Sequence, residues 1–97
     1  MAHLAIVATI KTAEGKRDEY LKFLAAHRKR CLETEPGTVS FEILVPQNEP
    51  DTIMLYELYD SPEGFDAHVK GTSMVQIRRE AAGLQVSLTG VRCNVVV

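Results

Sequence analysis

The chain has no tryptophan and only two cysteines, Cys31 and Cys93. They stand far apart, with no Cys-x-x-Cys and no Cys/His cluster visible in the spacing. A disulfide-stapled domain carries more cysteines at tighter intervals, and a structural zinc site needs closely spaced ligands. Neither is expected, and both thiols read as reduced, buried small hydrophobes. A basic excess is also lacking. Eleven Lys and Arg stand against 13 Asp and Glu, for a formal net charge of −2. That balance argues against a nucleic-acid partner, which usually meets a basic stripe. No apolar run is long enough for a membrane span, and MAHLAIVATIK has neither the basic region nor the cleavage site of a leader. A soluble, cytoplasmic protein is expected.

What is present is ordinary for a globular domain: 97 residues, 45% hydrophobic and 25% charged. This length supports one domain, residues 1–97, with one modest core. Disorder, collagen and low-complexity readings fail on composition.

From His3 to Lys11, Leu4, Ile6, Ala8 and Ile10 fall on one face and Ala5, Val7 and Thr9 on the other. Period-two alternation with both faces largely apolar predicts a strand covered on both sides. Lys16 to Glu35 reads as a helix with Tyr20, Leu24, His27 and Cys31 in one stripe. Glu35-Pro36-Gly37 ends it, because the residue before proline avoids the α region and glycine accepts positive φ. Thr38 to Val45 reads as a strand with Val39, Phe41, Ile43 and Val45 on one face. Pro46 to Asp51 forms a hairpin-type loop, and Thr52 to Asp60 a further strand. Ser61 is placed to cap a helix with Pro62 at its first position. Ser73 and Gln76 match a capping box for another helix, ending near Gly83. Val86 to Val97 reads as the last strand.

The order β-α-β-β-α-α-β predicts an α+β, ferredoxin-like domain whose second helix is split, with helices on one face of a four-stranded antiparallel sheet. The other face also carries apolar residues and has no element of its own to cover it. A homodimer, two sheets face to face in an α+β barrel, is the economical solution.

Among groups able to do chemistry, Glu57 breaks an apolar strand between Tyr56 and Leu58. A carboxylate there is either paired, for instance with Arg92, or perturbed by burial and available as a proton acceptor. His68, eleven residues on, is within reach of Glu57 or Tyr59 if the strand-to-helix connection is short. A neutral histidine beside a carboxylate is a general-base arrangement, though a lone histidine on a semi-apolar face is more often structural. His27 reads as core. Tyr56 and Tyr59 point to opposite faces, and tyrosine with Phe41, Phe65, Met54 and Met74 either fills the core or lines an apolar pocket. No phosphate-cradling loop, nucleophile motif or metal-ligand spacing appears, so neither metal nor cofactor is expected.

The run Glu35-Pro36-Gly37, then Phe41, then Tyr56-Glu57-x-Tyr59, then Phe65-x-Ala67-His68 resembles the antibiotic biosynthesis monooxygenase family, in particular its small quinol-monooxygenase-like members. The resemblance spans nearly the whole chain. It implies a dimeric α+β barrel and oxidation of a small aromatic or quinol-like molecule by O2 without metal or flavin. Once deprotonated, the substrate itself supplies the electron to dioxygen. The implied catalytic residues are His68, Glu57 and Tyr59, and the implied substrate contacts are Phe41, Phe65, Met74 and Ile77.

Departures narrow the reading. Polyketide-oxidising relatives use an Asn and a Trp, and haem-degrading relatives an Asn-Trp-His set. Without tryptophan, and with Asn48 and Asn94 in a loop and the last strand, neither chemistry is expected. Many small relatives carry a second histidine in a Thr-Pro-His stretch where this chain has Gly71-Thr72-Ser73. A relative that processes a phosphorylated quorum signal shares the Tyr-Glu-x-Tyr and a following histidine. Isomerisation of a small oxygenated metabolite, with Arg78, Arg79 or Arg92 as anion contacts, therefore stays open. So does non-catalytic binding of a small ligand.

Overall fold

A computed structural model describes residues 3–96. The elements are β1 (Leu4–Thr12), α1 (Arg17–Thr34), β2 (Thr38–Leu44), β3 (Thr52–Tyr59), α2 (Pro62–Val69), α3 (Thr72–Glu80) and β4 (Gln85–Asn94). The four strands form one antiparallel sheet in the order β2-β3-β1-β4. This is the expected α+β, ferredoxin-like plan. Strand periodicity and the tyrosine-leucine-histidine-cysteine stripe of α1 account for it. All four stripe residues are buried against the sheet.

Register sets which side chains meet. Phe41 pairs with Glu57, Glu57 with Ile6 and Ile6 with Arg92. Side chains opposite one another share a face, so these four form one row beneath the helices. The neighbouring row, Tyr56, Val7 and Val91, points the other way.

Two glycines dock α2. A β-carbon on Gly37 would stand 2.7 Å from the Gly64 Cα, and one on Gly64 would stand 2.7 Å from Asp60 Oδ1. The start of β2 and the first turn of α2 therefore touch backbone to backbone, an approach only glycine permits. Ser61 caps α2 as expected, its Oγ accepting the Gly64 N–H at 3.1 Å. This docking places the far end of α2, and His68 on it, over β3.

The structure corrects several expectations. A register shift between Thr38 and Ser40 turns β2 locally. Phe41 is buried, but Val39 and Val45 are exposed instead of continuing its face. Ser73 does not cap α3: Gly71 holds the N-cap position and Ser73 lies inside the helix. The last strand ends at Asn94, short of the expected Val97, which lies outside the described residues. Nearly all of β4, an edge strand of the sheet, is exposed on both faces. Cys31 is buried, whereas Cys93 is only half-buried.

Candidate functional site

Between the helices and the sheet lies a partly open cavity of about 540 Å³, bordered on β4 by Leu88 and Gly90 and by Gln85 at its start. Its walls are mostly aliphatic and aromatic, and include all four expected contacts, Phe41, Phe65, Met74 and Ile77. Met54, on the opposite face of β3, does not reach it. The polar residues that line it are Tyr20, His27, Glu57, His68, Arg78 and Gln85, of which Arg78 alone among the arginines considered as anion contacts reaches the cavity. A few convergent polar groups in an apolar cavity are the usual form of a small-molecule site.

Glu57 and His68 meet, with His68 Nε2 3.8 Å from Glu57 Oε1. Tyr59 donates its hydroxyl hydrogen to the same Glu57 oxygen. Tyr59 is fully buried and does not line the cavity, so it reaches a bound molecule only through Glu57. Burial pushes the Glu57 carboxyl above the usual carboxylate range, against the opposing pull of the Tyr59 hydrogen bond and the His68 ring. Burial, and then the Glu57 charge, push the Tyr59 phenol far up, so it stays protonated as a donor. Arg92 does not pair with Glu57: its guanidinium carbon lies 5.2 Å from the centre of the Phe65 ring.

An aromatic shell holds the His68 ring. Tyr59 lies 5.3 Å from it, Phe65 is stacked at 6.4 Å, and Phe41 is edge-on at 6.2 Å. On its other nitrogen, Nδ1 lies 2.8 Å from Glu35 Oε1. Sequence reasoning missed this partner, having read Glu35 only as a helix terminator.

It also missed three groups beside the imidazole. His27, 5.4 Å from the His68 ring, lines the cavity as well as filling the core. Ser73 Oγ receives the Arg30 Nε hydrogen at 2.8 Å and lies 2.8 Å from His27 Nδ1. Since Arg30 can only donate, the serine hydroxyl is free to donate to that ring nitrogen. Burial, and then the neighbouring His68, lower the His27 pKa to about 4. Cys31 Sγ stands 3.6 Å from His27 and His68 ring nitrogens, correcting the expectation of no Cys/His cluster. Their ligand atoms all lie within 4.8 Å of one another. Each Nδ1 is already engaged, however, by Ser73 or Glu35. Burial, followed by the Glu35 charge, pushes the Cys31 thiol up to about 12, so on its own it stays a thiol. The spacing of His27 and Cys31 on α1 was the available signal; the histidine that completes the cluster comes from a different element.

A ferredoxin-like fold with a largely apolar pocket lined by a carboxylate–imidazole pair is the class that fold and site define. The chain belongs to the antibiotic biosynthesis monooxygenase family, whose profile matches residues 3–80. Among solved structures it is similar to a candidate antibiotic biosynthesis monooxygenase of Nitrosomonas europaea, at 19% identity and TM-score 0.90, covering 97% of this chain and 90% of that one. A second candidate of the same description, from Caulobacter crescentus CB15, superposes at TM-score 0.90 with 18% identity, covering 98% and 91% of the two chains. A protein of Pseudomonas aeruginosa matches at TM-score 0.90 and 14% identity, covering 100% and 97%. At these identities the structures establish the fold. No curated protein matches the chain at a significant level. Among the described residues, no helix is long and apolar enough to cross a membrane.

Proposed function

We propose that the protein is a monooxygenase that oxidises a small aromatic, quinol-like molecule with O2, using neither metal nor organic cofactor. One observation carries this reading. The cavity walls are apolar and aromatic, while its floor holds a buried carboxylate 3.8 Å from a buried imidazole. Such a site favours a flat, weakly polar ligand and can remove one proton from it.

The Glu57–His68 pair takes a hydroxyl proton from the bound quinol. A carboxyl raised by burial suits that task near neutral pH. The resulting electron-rich anion reduces O2 by one electron, and the two radicals combine to a hydroperoxide. Loss of water then leaves a hydroxyquinone. Quinol plus O2 gives hydroxyquinone plus water, so no external reductant enters. Tyr59 steadies the Glu57 carboxylate, and Phe41, Phe65, Met74 and Ile77 hold the ring and exclude water. A homodimer completes the reading, with a second copy covering the open face of the sheet; the enzyme is cytoplasmic.

Oxygen uptake against a panel of hydroquinones tests it. Turnover should appear on at least one, and His68→Ala should slow it by about 10²-fold, the lower range for lost general-base catalysis. Uptake no faster than buffer across the panel defeats the oxidase reading. Exchange of a substrate C–H proton without O2 would point instead to an isomerase, and tight binding without either to a ligand-binding dimer.

A further inference from the structure

We propose that Glu35 is the positioning residue of this site. Its carboxylate holds the His68 ring so that Nδ1 keeps a hydrogen, and Nε2, on the side of Glu57, is the nitrogen that gains and loses a proton. The inference rests on the reading of Glu57 and His68 as the proton-handling pair.

Local chain geometry delivers the carboxylate. Glu35 is the C-cap of α1 and adopts an extended backbone, φ −107° and ψ 104°. Pro36 after it disfavours continued helix. The side chain thereby leaves the helix path and reaches His68 on α2, 33 positions away in sequence.

Hydrogen-bond accounting then fixes direction. Glu35 Oε1 lies 2.8 Å from Thr38 Oγ1, which donates to it, and 2.8 Å from His68 Nδ1. A carboxylate oxygen only accepts, so the ring nitrogen that faces an ionised Glu35 is an N–H. This holds whether the imidazole is neutral or charged, so only Nε2 is left to change state. In water a neutral histidine favours the opposite tautomer, with hydrogen on Nε2. The site must impose the one found here.

Two further observations fit. Gly71 leaves room for the carboxylate: a β-carbon there would stand 3.1 Å from Glu35 Oε2. The other groups around His68 do not compete for Nδ1. Cys31 is 3.6 Å from it and stays a thiol. His27 turns its Nδ1 to Ser73, and Glu57 and Tyr59 bond one another on the Nε2 side. Phe41 and Phe65 offer only ring faces and edges. Glu35 thus selects the nitrogen that Glu57 sees.

Ring-¹⁵N spectra of the labelled protein, recorded across a pH series so that the neutral ring is identified from the spectra themselves, test this directly; His68→Gln identifies the signals. Wild type should show hydrogen on Nδ1 and a bare Nε2. Glu35→Gln should keep that tautomer, because an amide oxygen still accepts. Glu35→Leu should turn it to Nε2–H and lower kcat by about 10²-fold with little change in KM, whereas Glu35→Gln retains most of the rate. Nε2–H in wild type, or an unchanged tautomer in Glu35→Leu, overturns the proposal. The wild-type spectrum decides the matter even if Glu35→Leu fails to fold. Absence of turnover on every quinol would defeat the oxidase reading and leave the tautomer result standing.

Discussion

Glu57 Oε1 is shared: the Tyr59 hydroxyl donates to it, and His68 Nε2 approaches to 3.8 Å from the other side. A buried carboxylate bound in this way is poised between two demands, since the ionised form that accepts a proton is the form that burial disfavours.

Glu57→Gln separates those demands. The amide fills the same space and still accepts from Tyr59, but cannot take a proton. Turnover should fall by about 10²-fold or more. Stability should move the other way. The folded-state pKa of Glu57 lies above its unfolded value of 4.5. Its contribution is therefore fully present below about 4.5 and is lost as pH rises through the folded pKa. Urea unfolding should show Glu57→Gln gaining on wild type as pH rises above about 4.5. A stability difference that does not grow with pH contradicts this.

His27 predicts acid sensitivity. Its folded pKa of about 4 lies below the ordinary 6.5, so between these values the unfolded chain binds a proton that the native chain refuses. Stability must fall as pH drops through that window. The loss between pH 7 and pH 5 from this residue is about 2 kcal/mol at 1.36 kcal/mol per unit. His27→Gln, which retains a partner for Ser73, should flatten that slope in denaturant titrations. An equal slope in both proteins would assign the effect elsewhere.

Gly64 is the hinge between packing and function. A methyl there meets Asp60 Oδ1 at 2.7 Å and the Gly37 Cα at 3.2 Å, so the Asp60 carboxylate must turn aside and the backbone at Gly37 must give way slightly. Overpacking of this kind costs about 1–3 kcal/mol. For a domain of this size each kcal/mol lowers Tm by about 4–8 °C. Because α2 carries His68, Gly64→Ala should also lower turnover beyond what the unfolded fraction explains. A calorimetric Tm within a degree or so of wild type would show that the contact yields easily.

Much of this architecture is legible from side-chain period alone. Ile6, Ala8 and Ile10 announce β1, and Tyr20, Leu24, His27 and Cys31 announce the buried stripe of α1. Glu57 and His68 stand out because each breaks an apolar pattern. The remainder of the site is hidden for physical reasons. Glu35 looks like a terminator because its backbone role at Pro36 and its side-chain role at His68 are independent, and only the first is local. Ser73 matches a cap pattern, yet the short Lys70–Gly71 link lets the helix resume two residues earlier, freeing its hydroxyl for His27 and Arg30. The exposure of β4 follows from its place at the sheet edge, which depends on the order of strands in space and not on any one strand's pattern.

The face away from the helices carries the last prediction. Tyr56, Val7 and Val91 lie side by side there on three adjacent strands. Val7 is 38% exposed despite its central strand, and Val91 is 60% exposed. Apolar surface continuous across a sheet is what a second sheet buries, and a second copy presents the same row by symmetry. Light scattering at micromolar concentration should therefore give twice 10.8 kDa, that is 21.6 kDa. A charge at Val91 faces its symmetry-related surroundings twice in one interface, so Val91→Glu should shift the mass toward the single chain. It should leave the His68 ring spectrum unchanged, because that ring lies on the other side of the sheet. A monodisperse 10.8 kDa wild-type species would refute the interface, and a Val91→Glu dimer would place it on another surface.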